Sequence, residues 1–495
     1  MPLPDASRLL SVPRGTWRSL ADRLRALGVT TDRAGRISRV CRRMPTRLAL
    51  PLRRWHLRRM QGGGAAAMRM LLFNDPVTPR EAEGALGEDL LRTLVEAGLL
   101  VRGEDGGIVS PFLMNLVNDL YVVCDDLAHG GPAVMGAGET TGDLCSAAYP
   151  TRKIGSALDL GCGAGTGALL FAREVRRVVG IDVNPRAITL ARLNAEINGI
   201  ANAEFLKGDL FEPVADEAFD LVFSQPPFVA GPEECDTATY LHGGARGDEI
   251  AFRILAGLSS HLRPGGRAVV LVEWPEVDGA ADESRFRDAV GSLDLSVLIL
   301  RGASTDLDEH CAWYAAGEHP GDLPSYERKA TIRREHLERT GIRGLRLLVG
   351  VVHRGPRAPG WTSTVDIRPL SEVTVTSERI DRLLASRDLL AAGREALLGA
   401  RLRIPDGTVF VEQRAVSGLG EPGRIEARFP DAVLQPPLGL NAHSLGLVSL
   451  VHGSPSVRAA AEQLAASFGA TADEAVAKAL PAVEEALLCG LLEPG

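Results

Sequence analysis

The chain has 495 residues, which at roughly 150 residues per domain points to about three domains, and its 45% hydrophobic, 24% charged composition is that of a globular protein rather than a disordered one. No apolar run nears the ~18 residues of a membrane span, and the start MPLPDASRLL lacks the basic residues and long apolar stretch of a signal peptide; no membrane partner and a cytoplasmic location are therefore expected. Net charge is −8, and the seven cysteines (Cys41, Cys124, Cys145, Cys162, Cys235, Cys311 and Cys489) stand singly with no CxxC pair, which argues against a disulfide framework or zinc knuckle and predicts free thiols.

The charge is uneven. The first 70 residues hold 16 Arg and only 3 Asp, so a basic arm precedes an acidic body. One reading is a nucleic-acid or acidic-peptide partner. The other is the solvated face of amphipathic helices, because Trp17, Leu20, Leu24 and Leu27 recur at helical spacing and the whole chain has only four lysines. Gly62, Gly63 and Gly64 read as a break after this stretch. Pro79 then opens a helix, Leu90, Leu91, Leu94 and Val95 give the next one an apolar face, and Gly98 ends it. Leu99–Val101 and Ile108–Val109 flank a Gly103–Gly107 turn as a small hairpin, completing the outline of a winged helix within a module spanning 1–145.

From about 146 to 356, short β-branched runs alternate with helical stretches, the pattern of a parallel sheet with crossover helices. Strands are predicted at Ser156–Leu160, Val178–Asp182, Ala203–Leu206, Asp220–Phe223, Ala268–Val272, Ser296–Leu300 and Leu345–Val352, seven in all. Arg354–Thr364, rich in Pro and Gly, reads as a linker. Residues 365–495 read as a small α+β domain, also winged-helix-like: strands lie around a turn at Pro405, Asp406 and Gly407 within Arg401–Arg414. Helices follow near Ala442–Val451, Ser456–Phe468 and Ala472–Leu488.

The strongest local signal is SALDLGCGAGTGALLF. A strand ends at Leu160 and enters a turn through Gly161, Gly163 and Gly165 before a helix, so the backbone can wrap a ligand and offer N–H groups to it. G-x-G-x-G alone also suits a dinucleotide. Asp159, two residues before the first glycine, can face the ammonium of an amino-acid cofactor. Asp182, at the tip of the second strand, can accept ribose hydroxyls. Asp209, in KGDLF, comes within reach of an adenine amino group, and Phe211 can pack on that ring. An ammonium-facing, a ribose-facing and an adenine-facing acid describe S-adenosylmethionine better than NAD. The competing structural explanation, a helix cap, fits Asp182 beside Asn184–Pro185 but does not cover all three acids.

The fourth strand runs into Gln225, Pro226, Pro227 and Phe228. Together with D-x-G-x-G-x-G, the acid after strand two and the G-D pair, this tetrad resembles the class I methyltransferases that act on planar nitrogen. These include the release-factor glutamine and the adenine-N6 and guanine-N2 enzymes. The resemblance spans roughly the 200 residues of the middle domain and is specific for fold and cofactor rather than substrate. It implies a Rossmann-like seven-stranded methyltransferase core between helical or winged-helix-like N- and C-terminal modules, with S-adenosylmethionine as cofactor and no metal. The usual tetrad is Asn-Pro-Pro-Tyr/Phe, and glutamine moves the carbonyl outward by about 1.5 Å. The Gln225 side-chain carbonyl and the Pro226 backbone carbonyl can hold the hydrogens of an sp² nitrogen, with Pro226 and Pro227 stiffening the loop and Phe228 stacking on a flat acceptor. Transfer to oxygen or carbon of a small molecule, and a binding protein without turnover, are the alternatives. The acceptor stays open between a small molecule, a peptide or protein, and RNA.

After the tetrad, Val229–Glu249 is Gly-rich and polar, as acceptor pockets and lids often are, and Tyr240, His242, Arg246 and Asp248 are its candidate substrate contacts; His242 could serve as a base toward a hydroxyl. The cluster Asp308–His319 contains His310, Cys311 and His319 at no standard zinc spacing. Trp313 and Tyr314 within it read as core or pocket wall.

Overall fold

The computed structural model describes residues 3–13, 15–39, 46–126, 131–232, 241–318, 322–370, 372–413, 424–428, 438–440 and 442–495. The chain divides into two units, Met1–Cys145 with Arg152–Ile250, and Ser146–Thr151 with Ala251–Gly495.

The first unit opens with α1 (Thr16–Ala26), α2 (Thr31–Ser38), α3 (Thr46–Arg58), α4 (Gly63–Leu72), α5 (Pro79–Leu86) and α6 (Glu88–Glu96). Trp17, Leu20 and Leu24 form the buried face of α1, and the Trp17 indole N–H donates to the Leu9 carbonyl at 3.0 Å. The triple glycine does not break the chain. Gly62 caps α4 at φ 94°, and Gly64 lies inside that helix because a Cβ there would stand 2.5 Å from the Leu27 carbonyl oxygen. Nor do the arginines simply form a solvated face. Arg23 donates to the Gly84 and Ala85 carbonyls, Arg33 to Leu27 and Arg54 to Phe73, while Arg58 and Arg69 both pair with the buried Asp75. Pro79 does open α5, behind a Thr78–Glu81 capping box, and the hairpin follows as β1 (Val101–Arg102) and β2 (Ile108–Val109). A second hairpin, β3 (Leu113–Val117) and β4 (Leu120–Cys124), turns through Asn118 and Asp119, both at positive φ. It leads by way of residues 131–138 into α7 (Glu139–Ala148).

Then come β5 (Ile154–Leu160), α8 (Thr166–Phe171), β6 (Val175–Asp182), α9 (Pro185–Asn198), β7 (Ala203–Lys207) and β8 (Phe219–Ser224). These strands are parallel in the order β7-β6-β5-β8, so their carboxyl ends share one edge, where open α/β sheets take their ligands. β9 (Val229–Ala230) pairs in parallel with β10 (His242–Gly244), and α10 (Glu249–His261) follows.

In the second unit, β11 (Leu262–Val277), α11 (Asp282–Val290), β12 (Ser296–Thr305), α12 (Leu307–Glu318), α13 (Leu323–Arg339) and β13 (Ile342–His353) precede β14 (Thr362–Asp366). β13 is antiparallel to both β11 and β12, whereas β14 is parallel to β12. β14 corrects two expectations. The sheet has eight strands rather than seven, mostly parallel, and the end of the expected linker is an edge strand. Trp313 is a third correction: it is 76% exposed on α12, not core. Tyr314 packs on the His310 ring, 4.7 Å between centroids. His319 lies outside the described residues, as do Cys41, Cys235 and Arg414.

Beyond the sheet, α14 (Ser377–Ala391) and α15 (Arg394–Gly399) lead to β15 (Leu402–Arg403), β16 (Val409–Gln413), β17 (Arg424–Arg428) and β18 (Leu438–Leu440). The helices α16 (Ala442–Gly453), α17 (Val457–Phe468) and α18 (Ala472–Leu488) and the short β19 (Glu493–Pro494) complete it. The strands either side of the Pro405 turn do not pair with each other: β15 pairs with β19 and β16 with β17. The three helices stand where their periodicity placed them, around Val457, Val483, Leu487 and Leu491. Among the described residues, no helix is long and apolar enough to cross a membrane, and no group of three or more His, Cys, Asp or Glu could hold a metal ion. The described cysteines Cys124, Cys145, Cys162, Cys311 and Cys489 are free thiols.

Candidate active site

The turn after β5 folds as its glycines require. Gly161, Gly163 and Gly165 take φ of 73°, 52° and 82°, in the left-handed region that favours glycine. A Cβ on Gly165 would also stand 3.0 Å from Ala191 and Phe205. The Gly161 and Cys162 N–H groups donate to the Ile181 carbonyl, which seats the turn on the end of β6.

Asp182, the last residue of β6, completes that seat. One carboxylate oxygen accepts from the Gly163 N–H and the other from the Asn184 N–H, both at 2.9 Å. The cap of α9 is the neighbouring Asn184, whose side chain accepts from the Arg186 N–H. Each carboxylate oxygen has a second lone pair, so Asp182 can still accept a hydroxyl. Burial pushes its pKa up against these two bonds. Asp159 is buried in β5, and its Oδ2 accepts from the Ala168 N–H at 3.0 Å; Oδ1 makes no hydrogen bond among the described residues. Burial, reinforced by Asp182, raises its pKa to about 7. The Gly208 N–H donates to the Asp182 carbonyl at 3.1 Å, which brings the Gly208–Asp209 turn beside Asp182. Phe211 follows, half-buried, at the head of a 3₁₀ turn over Glu212–Val214.

The tetrad begins directly after β8, whose Ser224 hydroxyl donates to the Leu160 carbonyl at 2.8 Å. The Gln225 side-chain N–H donates to Thr140 Oγ1 of α7 at 2.6 Å, while its Oε1 makes no hydrogen bond among the described residues.

A family model described as "Methyltransferase domain" matches residues 152–281, which hold the glycine turn, all three acids and the tetrad. Residues 152–281 are a methyltransferase domain. Relatives of this chain include a release factor glutamine methyltransferase of Geobacter sulfurreducens, 36% identical over 124 residues, covering 23% of this chain and 43% of that protein. Another, from Aliivibrio fischeri, is 44% identical over 84 residues, covering 16% of this chain and 30% of its own. Ribosomal RNA small subunit methyltransferase C of Alcanivorax borkumensis is 27% identical over 258 residues, covering 48% and 71%. The chain spans less than half of the two release factor enzymes.

The methyltransferase domain continues past the tetrad into residues 241–249, which close over it. A Cβ on Gly243 would stand 2.6 Å from Phe228 Cα, and one on Gly247, at φ 84°, would meet the Phe228 carbonyl oxygen. His242, Arg246 and Asp248 are thereby brought to the tetrad. Arg246 and the buried Asp248 form an ion pair at 3.8 Å. The Glu249 carboxylate accepts from the Arg246 N–H at 2.9 Å, and His242 Nδ1, Arg246 Nε and Glu249 Oε2 are buried without a hydrogen-bond partner. Tyr240 lies outside the described residues.

Two supports of the domain escape a reading of local motifs. Asn194, fully buried on α9, donates to the Val123 and Ala164 carbonyls at 2.9 Å and accepts from the Val123 N–H at 2.7 Å, joining β4 to the glycine turn. Asp125 receives both Arg186 nitrogens at 2.6 and 2.7 Å. Removing a buried group with three such bonds strands its partners. Asn194→Ala is therefore expected to cost about 3 kcal/mol of stability, read as a lower denaturant midpoint at unchanged slope.

Proposed function

We propose that this chain is an S-adenosylmethionine-dependent methyltransferase that methylates a planar amide or amine nitrogen held at Gln225 and Pro226. The observation that carries the reading is the Thr140–Gln225 bond. It fixes the amide by its N–H₂ end and leaves the carbonyl end available as an acceptor next to the Pro226 carbonyl. Two such acceptors orient an sp² nitrogen by its hydrogens and stabilise the positive charge that grows on it during transfer. Pro226 and Pro227 hold the loop before any acceptor arrives.

The cofactor site fits the same reading. Three glycines at positive φ leave a cradle that side chains would fill, Asp182 retains acceptor capacity for the ribose hydroxyls, and Asp159 offers one oxygen toward an ammonium. Asp209 and Phe211 serve the adenine. When bound, S-adenosylmethionine supplies an electrophilic methyl on a sulfonium, so in-line positioning accounts for much of the rate. His242, Arg246 and Asp248, packed on Phe228, form the acceptor wall; Tyr240 belongs to the same proposal. The named activities of the relatives favour a protein amide or an RNA base as acceptor.

The test is transfer of labelled methyl from S-adenosylmethionine into protein and RNA fractions of an extract lacking the endogenous protein, followed by hydrolysis. Label in an N-methylated amino acid or base is expected. Label on oxygen or carbon would overturn the nitrogen reading. Gln225→Ala should lower incorporation at least about tenfold while leaving S-adenosylmethionine affinity within about twofold, as expected for a group that meets only the acceptor. An unchanged rate would remove the tetrad's role.

A further inference from the structure

The first unit contributes a strap to the cofactor site that lies wholly upstream of the matched domain. Residues 131–138 and the following turns of α7 meet the site at four places. The Pro132 carbonyl accepts from the Asn184 side chain at 2.9 Å, beside the Asp182 turn. The Val134 N–H donates to Asp125, the carboxylate that holds Arg186. A Cβ on Gly163, in the glycine turn, would lie 3.9 Å from the Met135 carbonyl oxygen. Thr140 holds Gln225, and the Cys145 thiol is close enough to Asp159 to be pushed up by its charge as well as by burial. The strap thus passes the ribose end, the glycine turn, the tetrad and the ammonium end in turn.

Asp143 stands on this strap, one helical turn after Thr140 and so on the same face of α7. It is half-buried, and its carboxylate makes no hydrogen bond or ion pair among the described residues. Burial and the neighbouring Glu139 both raise its pKa, to about 6, with no cation offsetting them. A partly desolvated carboxylate with no partner is costly unless a ligand brings the opposite charge. The ligand proposed for this site carries two positive centres, an ammonium and a sulfonium. Asp159 lies at the ammonium end, and Asp143 shares its helix face with the residue that anchors the methyl-accepting corner.

We propose that Asp143 is a further cofactor-binding residue, whose carboxylate is the counter-charge to the sulfonium of S-adenosylmethionine; this rests on the methyltransferase reading above. S-adenosylhomocysteine carries the same adenosine, ammonium and carboxylate but an uncharged thioether, so the two ligands isolate the sulfonium. Titration calorimetry on the full chain should show Asp143→Asn losing about tenfold in affinity for S-adenosylmethionine and less than about twofold for S-adenosylhomocysteine. Asp143→Glu should recover most of the difference, and Glu139→Gln, at an exposed position, should change neither ligand by more than about twofold. Equal loss for both ligands would mean that Asp143 merely supports the helix, and no loss would mean that it faces elsewhere; either result overturns the assignment alone. Failure of the unaltered protein to bind either ligand would overturn the cofactor reading itself.

Discussion

Asp182→Ala is expected to weaken S-adenosylmethionine binding by about a hundredfold or more. The carboxylate does two things at once in the structure. It accepts from the Gly163 and Asn184 N–H groups at 2.9 Å, holding the glycine turn against β6, and its remaining lone pairs are the proposed ribose acceptors. Alanine removes both functions, and charge-assisted hydrogen bonds are each worth about 1.5–3 kcal/mol, so two or more amount to a hundredfold or beyond. Asp182→Asn is the informative companion. It keeps one carbonyl oxygen but turns an N–H₂ toward a backbone N–H, so it should resemble alanine rather than the native protein. Calorimetry with S-adenosylmethionine reads both variants, and a threefold change or less in either would remove Asp182 from the ribose site.

Asp159→Asn is expected to stabilise the ligand-free protein above pH 7 while weakening cofactor affinity by about a hundredfold. The Asp159 carboxyl titrates at about 7 in the folded chain, raised by burial and then by Asp182, against 3.8 for an ordinary aspartate. Between those values the folded state binds more protons than the unfolded one, so stability falls as pH rises from about 4 to 7 and stays lowered above that. Asparagine has nothing to ionise and still offers a carbonyl to the Ala168 N–H. Its unfolding midpoint should therefore exceed the native one at pH 8 and match it near pH 4. The same charge is what an ammonium would neutralise, so the native protein should bind S-adenosylmethionine more tightly at pH 8 than at pH 6, and the variant should lose that dependence. A midpoint difference that does not change with pH would show that Asp159 is not ionising in this range.

The parts of this fold that could be read in the sequence are those with a short-range cause. Strands β5, β6, β7 and β8 are buried β-branched runs, and the glycine turn needs a backbone that only glycine adopts readily. The parts that could not are set by partners far away in the chain. Gln225 is oriented by Thr140, 85 positions earlier, and Asn194 answers Val123, 71 positions away. Gly64 looks like a helix breaker until Leu27 is seen packed against it. The edge strand β14 has one neighbour and a polar sequence, so nothing local marks it after a Pro- and Gly-rich stretch. Trp313 sits beside buried Cys311 and half-buried Tyr314 in the sequence, yet the helical turn carries it outward.

The strap that crosses the glycine turn has a consequence for how portable this enzyme core is. Its anchors on Asn184, Asp125 and Gln225 come from residues upstream of 152, where the recognisable domain starts. Excising 152–281 would remove one side of the ligand's enclosure along with the front of the chain. The upstream module and the core therefore form one inheritance unit, and substitutions around Pro132 or Thr140 would have to drift in step with those at Asn184 and Gln225.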